Sequence, residues 1–255
     1  MVYDVVAVDR VVELLRTARH AIAFTGAGIS TPSGIPDFRS PNSGLWENVN
    51  PLEVASIFGF RQNPRAFYDW VYPLVHLTML AQPNPAHLAL ARLESMGILK
   101  AIITQNIDML HTRAGSQVVH ELHGHMREAT CTHCFRVFPG EALIRKFLED
   151  HIPPRCPQCG HIVKPNVILY GEQLPYREMQ ASREAAGSAD LMVIVGSSLE
   201  VAPASDLPLI ALRARARLVI INLSSTHLDS RAAVHLTADA AEVLPEIVRR
   251  LEGIA

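Results

Sequence analysis

The chain has 255 residues, of which 49% are hydrophobic and 19% charged, and its formal net charge is −2. That length and apolar content suit a globular protein with a large core, built as one domain or one domain with a smaller insertion. The balanced charge offers no global field toward nucleic acid or an anionic membrane, and apolar runs such as Leu191–Val195 are too short to span a bilayer.

The opening stretch MVYDVVAVDR carries Asp4 and Asp9 and lacks a basic start followed by a long apolar run. It does not read as a signal peptide, so a cytoplasmic protein is expected. Val11, Leu14, Leu15 and Ala18 recur at helical spacing and lead into a short apolar strand, Ala21–Thr25. That strand ends in Gly26-Ala27-Gly28, where absent side chains permit a tight turn and a close ligand approach, with amides suited to phosphate. Then Gly34-Ile35-Pro36-Asp37-Phe38-Arg39 sets a carboxylate, an aromatic ring and a guanidinium side by side; a solvated Pro-Asp turn is the plainer alternative. The text then turns irregular around Trp46 before a predicted helix over Pro64–Leu77, whose aromatics Phe67, Tyr68, Trp70 and Tyr72 are expected in the core.

Asn84-Pro85 forms a helix start and Gly97 a helix stop. Ile98–Thr104, Val118–Leu122, Asp190–Gly196 and Arg217–Asn222 read as further short strands with helices between, the last helix covering Ala240–Leu251. Continuously apolar strands alternating with helices predict an α/β fold, a doubly wound, parallel, Rossmann-like sheet whose ligands bind beyond the strands' carboxyl ends. The division expected is a Rossmann-like domain from 1–40, 76–124 and 166–255, a loop and helical insertion at 41–75, and a zinc-ribbon module at 125–165.

All four cysteines lie in two CxxC pairs, Cys131/Cys134 and Cys156/Cys159, with 21 residues between the pairs. This is a zinc pattern, and it leaves no cysteine for nucleophilic catalysis. His133 lies inside a knuckle, but four thiolates already complete a tetrahedral site.

The strand ends gather polar groups: Thr104-Gln105-Asn106-Ile107-Asp108, Glu121-Leu122-His123-Gly124, Gly196-Ser197-Ser198 and Asn222. Each has a duller reading, since Asn106, Asp108 and Ser197 could cap helices and Asn222 could serve a turn. Among twelve histidines, His20, His76, His87, His227 and His235 are read as partly buried or surface residues. His123 differs because it ends an apolar strand on the rim that Asn106 occupies, and an imidazole near neutral pH suits a general base.

GAGIS at Gly26–Ser30, GIPDFR, TQNID at Thr104–Asp108, LHG at Leu122–Gly124, the paired knuckles and KPNVILYGEQLP at Lys164–Pro175 occur in one order. Gly196-Ser197-Ser198-Leu199 with Val201 and Pro203, Ile221-Asn222 and Ala238-Asp239 follow. Together they resemble the sirtuins, NAD-dependent protein lysine deacylases, over roughly Ala21 to Pro245. The resemblance implies NAD and Zn²⁺ as cofactors and an acyl-lysine protein or peptide as partner; the charge and apolar runs add the expectation of no direct nucleic acid and no membrane, and a monomer is expected. It implies that the substrate amide oxygen attacks the nicotinamide-bearing ribose carbon and that a histidine base then helps a ribose hydroxyl capture the acyl group. The products so implied are free lysine, nicotinamide and an O-acyl-ADP-ribose.

Carried over by motif, His123 is the base, and Asn106 and Asp108 hold the ribose and the nicotinamide amide. Gly26, Ala27, Gly28, Ile29, Asp37, Gln105, Gly196, Ser197 and Ser198 would line the cofactor, with Phe38 and Arg39 over its nicotinamide end. Asn222 would lie near the adenosine, Asp239 and Ala240 would also bind the cofactor, and Val167, Ile168, Leu169, Tyr170, Gly171 and Glu172 would pair with the substrate as an added strand. Tyr170, Asn166 and His125 depart from the commoner pattern, which bears on substrate preference. No tyrosine is followed three residues later by arginine, the pair that holds acidic acyl chains in the family; Trp70, Val71, Val75 and Leu77 are the expected apolar lining.

Other classes fit less well. A hydride-transferring dehydrogenase would usually show GxGxxG with an acid at the next strand's end, whereas GAGIST lacks the third glycine. A zinc-ribbon nucleic-acid adaptor is disfavoured because Arg136, Arg145, Lys146 and Arg155 are offset by Glu141, Glu149 and Asp150. Mono-ADP-ribosyl transfer to protein, using the same NAD cleavage, is the nearest alternative.

Overall fold

A six-stranded parallel sheet forms the centre of the computed structural model, which describes residues 3–37 and 49–253. In chain order the elements begin with α1 (Val5–Thr17), β1 (Ala21–Thr25), α2 (Pro51–Val54), α3 (Ile57–Gln62), α4 (Pro64–Leu80), α5 (Pro85–Ser95) and β2 (Leu99–Thr104). There follow α6 (Leu110–Arg113), β3 (Val119–Glu121), β4 (Gly124–Cys131), β5 (Val137–Pro139), α7 (Gly140–Asp150) and β6 (Val163–Val167). The chain closes with α8 (Tyr176–Ser188), β7 (Leu191–Val195), α9 (Leu207–Arg213), β8 (Arg217–Ile221), β9 (Val234–Leu236) and α10 (Ala240–Leu251).

The sheet order is β3-β2-β1-β7-β8-β9. Its central strands β1 and β7 are buried at every position, and apolar but for Thr25, because both faces are covered: Ala21 and Ala23 of β1 join a core with α1, α5 and α10, while Ile22 and Phe24 join one with α8 and α9. Local chemistry sets the helix ends. Asp4 accepts from the Val6 and Ala7 amides at the start of α1, and Asn84 with His87 forms a capping box at the start of α5, with Pro85 following.

Residues between β3 and α8 build a second, antiparallel sheet, order β5-β4-β6. Its own core is small, Ala129, Cys131, Cys156 and Val163. The α3–α4 helices cover it through a larger cluster containing Phe60, Phe67, Tyr68, Met126, Phe147 and Val167. Phe67 and Tyr68 are core residues, with edge-to-face contacts at 5.2 Å to each other and 5.0 Å between Tyr68 and Phe147.

Two features differ from expectation. The edge strand β9 carries alternating burial and only three residues, too short a pattern to register as a strand. Helix α4 continues past Leu77 to Leu80, accommodating Pro73 in its interior.

Candidate functional site

The carboxyl ends of β1 and β7 meet more tightly than any side chain would allow. Gly28 N donates to Gly196 O at 2.8 Å and Gly26 N to Val195 O at 3.1 Å. A Cβ on Gly26 would stand 2.7 Å from Gly196 O, and one on Gly196, whose φ is +61°, would stand 2.3 Å from Ile29 N. The amides of Gly26, Gly28 and Ile29 are therefore engaged inside the turn (Ile29 N donates to Gly26 O), so these glycines supply close backbone approach before they supply phosphate ligands.

A chain of hydrogen bonds crosses the rim from there. Gln105 Nε2 donates to Ser197 Oγ at 2.8 Å, and Asn222 Nδ2 donates to Ser197 O at 3.2 Å and Ser224 O at 2.8 Å. Ser198 is half-buried beside buried Ser197. Asp239 caps α10 through the Ala241 amide, and Ala240 is buried behind it; these two are not tied into the rim network. Ala27 is half-buried at the turn, as is Asp37 at the end of its described segment, while Phe38, Arg39 and Trp46 lie outside the described residues.

Beneath the rim, Asn106 Nδ2 donates to Gly26 O and to Ser30 Oγ, both at 3.1 Å, and Ser30 Oγ donates to Asp108 Oδ2 at 2.6 Å. Asp108 Oδ1 accepts from the Leu110 amide, so the capping role also holds. Burial pushes the Asp108 carboxyl above its ordinary range, opposed by those two donors. Behind Ser30 stands His87, which was expected partly buried or at the surface and is instead completely enclosed. Its Nδ1 accepts from the Asn84 amide at 3.4 Å and its Nε2 faces Ser30 Oγ at 3.5 Å. Burial lowers the His87 imidazole to about 4, and burial with the neighbouring His87 holds His111 well below the usual histidine range. His111 Nε2 faces Thr25 Oγ at 2.9 Å, and Thr25 Oγ donates to Thr104 Oγ. Ser30, Thr25, His87 and His111 are thus the polar residues that sequence reasoning missed. The Asn84-x-x-His87 capping-box spacing was the one available signal for His87.

His123 is half-buried at the mouth of this network. Its Nδ1 lies 2.9 Å from Gln105 O; a carbonyl only accepts, so Nδ1 carries a proton, and in the neutral ring Nε2 is the nitrogen able to accept one. The following Gly124 has φ +76°, and a Cβ there would stand 2.0 Å from Asn166 O. This close crossing pairs Gly124 with Val167 and lets Ile168 N donate to His123 O at 2.8 Å. The Val167–Glu172 segment is thereby bonded directly to the histidine. Leu169 N donates to Glu172 Oε2 at 2.8 Å, and Tyr170 exchanges backbone bonds with Ala55 and Ile57 at 2.9 Å. Gly171 is exposed, with φ +85°. Glu121 and Arg127 form a two-pronged ion pair across the turn that holds His123.

The four cysteine sulfurs lie within 4.8 Å of one another, with Cys131–Cys159 at 3.4 Å and Cys134–Cys156 at 3.6 Å. These are thiols and not disulfides. Tetrahedral zinc with Zn–S of about 2.3 Å places sulfurs about 3.8 Å apart, so the donor set and its spacing fit Zn²⁺.

An apolar cavity between α4, α7 and the small sheet is lined by Phe67, Tyr68, Val71, Val75, Ile107 and Phe147, among others. Ile107, which lines it, lies between Asn106 and Asp108 in the chain. Of the expected lining, Val71 and Val75 are present, Trp70 packs against the surrounding cluster, and Leu77 is instead exposed on the outer face of α4.

Among known proteins, the chain matches a model of the Sir2 family over residues 26–203. It is similar to an Archaeoglobus fulgidus protein named NAD-dependent protein deacylase 2, 47% identical over 97% of both chains. It is also similar to a solved structure described as Sir2 with a p53 peptide and NAD⁺, at TM-score 0.87 and 40% identity over 96% of this chain and 98% of that one. A further structure, described as Sir2Af2 bound to a myristoylated histone peptide, matches at TM-score 0.84 and 41% identity over 97% of each chain.

Proposed function

This chain belongs to the Sir2 family, and from that premise we propose that it removes acetyl or other neutral acyl groups from protein lysine in an NAD-dependent reaction. The observation that carries the reading is the bond between His123 O and Ile168 N, which joins the general base to the peptide-pairing segment. The relative's name and the peptide and NAD⁺ complexes of the neighbours support the same activity.

NAD supplies the nicotinamide–ribose bond that breaks and the ribose hydroxyl that captures the acyl group. His123 Nε2 takes the proton of that hydroxyl, while Gln105 O holds the Nδ1–H, fixes the tautomer and stabilises the ring once it is cationic. Asn106 and Asp108, braced by Ser30, position the ribose and the nicotinamide amide. Gly26, Ala27, Gly28, Ile29, Gly196, Ser197 and Ser198 are assigned to the phosphates and the adjoining backbone, Gln105 to the rim beside them. Asp37, Phe38 and Arg39 are assigned to the nicotinamide end, and Asn222, Asp239 and Ala240 to the adenosine side. Cys131, Cys134, Cys156 and Cys159 hold a structural zinc, closed to water and substrate by four thiolates. Val167–Glu172 receives the peptide as an added strand.

The parallel-sheet segments form the NAD-binding unit, 41–75 its helical insertion and 125–165 its zinc module. The chain acts as a cytoplasmic monomer; no helix among the described residues is long and apolar enough to cross a membrane. Mass spectrometry of a panel of acyl-lysine peptides with and without NAD tests the reading. Loss of the acyl mass with appearance of O-acyl-ADP-ribose is expected. A gain of the ADP-ribosyl mass on the peptide, without deacylation, would instead select protein ADP-ribosylation.

A further inference from the structure

Lys164 holds an ammonium group beneath the Val167–Glu172 segment, with only 13% of its side chain exposed. An ammonium has three donors, and here three oxygens take them: Val167 O at 2.7 Å, Pro165 O at 3.2 Å and Glu172 Oε2 at 2.9 Å. The same Glu172 oxygen accepts from the Leu169 amide at 2.8 Å, and Glu172 N donates to Leu169 O at 3.0 Å. Burial holds the Lys164 ammonium below its usual range, with Glu172 opposing. An enclosed ion pair is weak ground for stability, since desolvation offsets much of the Coulombic attraction. What this pair provides is shape.

It closes Val167–Glu172 on itself and turns the Val167 carbonyl inward. Other bonds anchor the segment to His123, Ala55 and Ile57. Among the described residues, no hydrogen bond uses the Ile168 carbonyl or the Gly171 amide. Those two groups, one just past β6 and one in the Leu169–Glu172 turn where Gly171 has φ +85°, form an edge with an acceptor and a donor open to backbone pairing with a peptide.

We propose that the Lys164–Glu172 pair is the positioning device that presents this edge to the acyl-lysine peptide and fixes its register against His123. The inference rests on the deacylase reading, adds Lys164, and gives Glu172 a role apart from any contact with the acyl group or NAD.

Lys164→Met keeps the aliphatic stem and removes the ammonium, leaving Glu172 enclosed without its cation. Lys164→Met/Glu172→Gln removes both charges and relieves that penalty. Three quantities are read for each: thermal midpoint, ADP-ribose affinity, and affinity for a fluorescent acetyl-lysine peptide without NAD. The single variant is expected to lower the midpoint, and the double variant to recover it. Both are expected to weaken peptide binding about tenfold or more while ADP-ribose affinity stays within about twofold; in turnover the loss falls on the peptide KM more than on kcat. Peptide affinity that recovers along with the midpoint in the double variant, or that never changes, overturns the proposal. So does a parallel loss of ADP-ribose affinity. Turnover of acyl peptide by the parent protein tests the deacylase reading separately, because the peptide affinities need no turnover.

Discussion

At the scale of single residues, the site divides into groups that exchange protons and groups prevented from doing so. His123 is half-buried, with one nitrogen fixed by Gln105 O, and is the residue proposed as the general base. His123→Ala is expected to reduce deacylation by about 10² to 10⁴, the usual range for losing a general base, while ADP-ribose binding persists. Activity within about threefold of the parent in a steady-state assay would retire His123 from that role. His87 is the opposite case, enclosed and lowered to about 4. In the unfolded chain it titrates near about 6.5, so between those values the unfolded state binds a proton that the folded state refuses. Its neutral burial thus costs nothing extra above about pH 6.5, and the folded state is penalised progressively as pH falls below that. Between pH 7 and pH 5 this single group should remove about 2 kcal/mol of stability. His87→Gln is expected to be less stable at pH 7 yet to lose that much less on acidification. Urea unfolding at the two pH values checks it, and parallel losses in parent and variant would refute the assignment.

At the scale of elements, the small sheet cannot stand on its own core. Four buried residues, two of them cysteines, hold β4 and β6 together, so the metal provides what apolar burial does not. Cys131→Ala is expected to lose zinc and the fold of this module together, followed by loss of activity, because β4 also carries Gly124 beside His123. Metal analysis alongside circular dichroism decides the matter; a zinc-free variant with native spectrum and full NAD-dependent activity would contradict it. The elements also show what the sequence made legible. β1, β2, β7 and β8 were readable because strands buried on both faces leave continuous apolar runs, and the CxxC spacing announced its own geometry. β9 was not, since three residues with alternating burial carry too little periodicity. Beyond Asn106, Asp108 and the capping-box spacing at His87, the buried polar network was illegible for a different reason. Nothing in Ser30, His87 or His111 taken singly tells that the fold stacks them, because their neighbours come from β1, α5 and α6.

At the scale of the whole molecule, substrate choice depends on how the two sheets and the helices between them meet. The cavity lined in part by Ile107 is walled by α4 on one side and by β4, β6 and α7 on the other. Tyr68 has no O–H left to donate to a ligand there, because it donates to Val163 O, and burial pushes its pKa above the ordinary phenol range. Three residues on, where an arginine would face an acidic acyl chain, stands Val71. The one acidic residue in the lining, Glu128, would repel a second carboxylate. Burying a succinyl carboxylate in such surroundings without a cation is strongly unfavourable, whereas a neutral chain gains about 0.8 kcal/mol for each CH₂ it buries. Acetyl-lysine and longer neutral acyl-lysines are therefore expected to be accepted, and succinyl-lysine to be poor. Lengthening the neutral chain should lower KM until the cavity is filled, since these contacts hold the ground state and the transition state alike. Specificity constants for acetyl, longer neutral and succinyl versions of one peptide decide it. A preference for the succinyl peptide would mean that a cation reaches the acyl chain from elsewhere, and the apolar cavity would no longer be the acyl site.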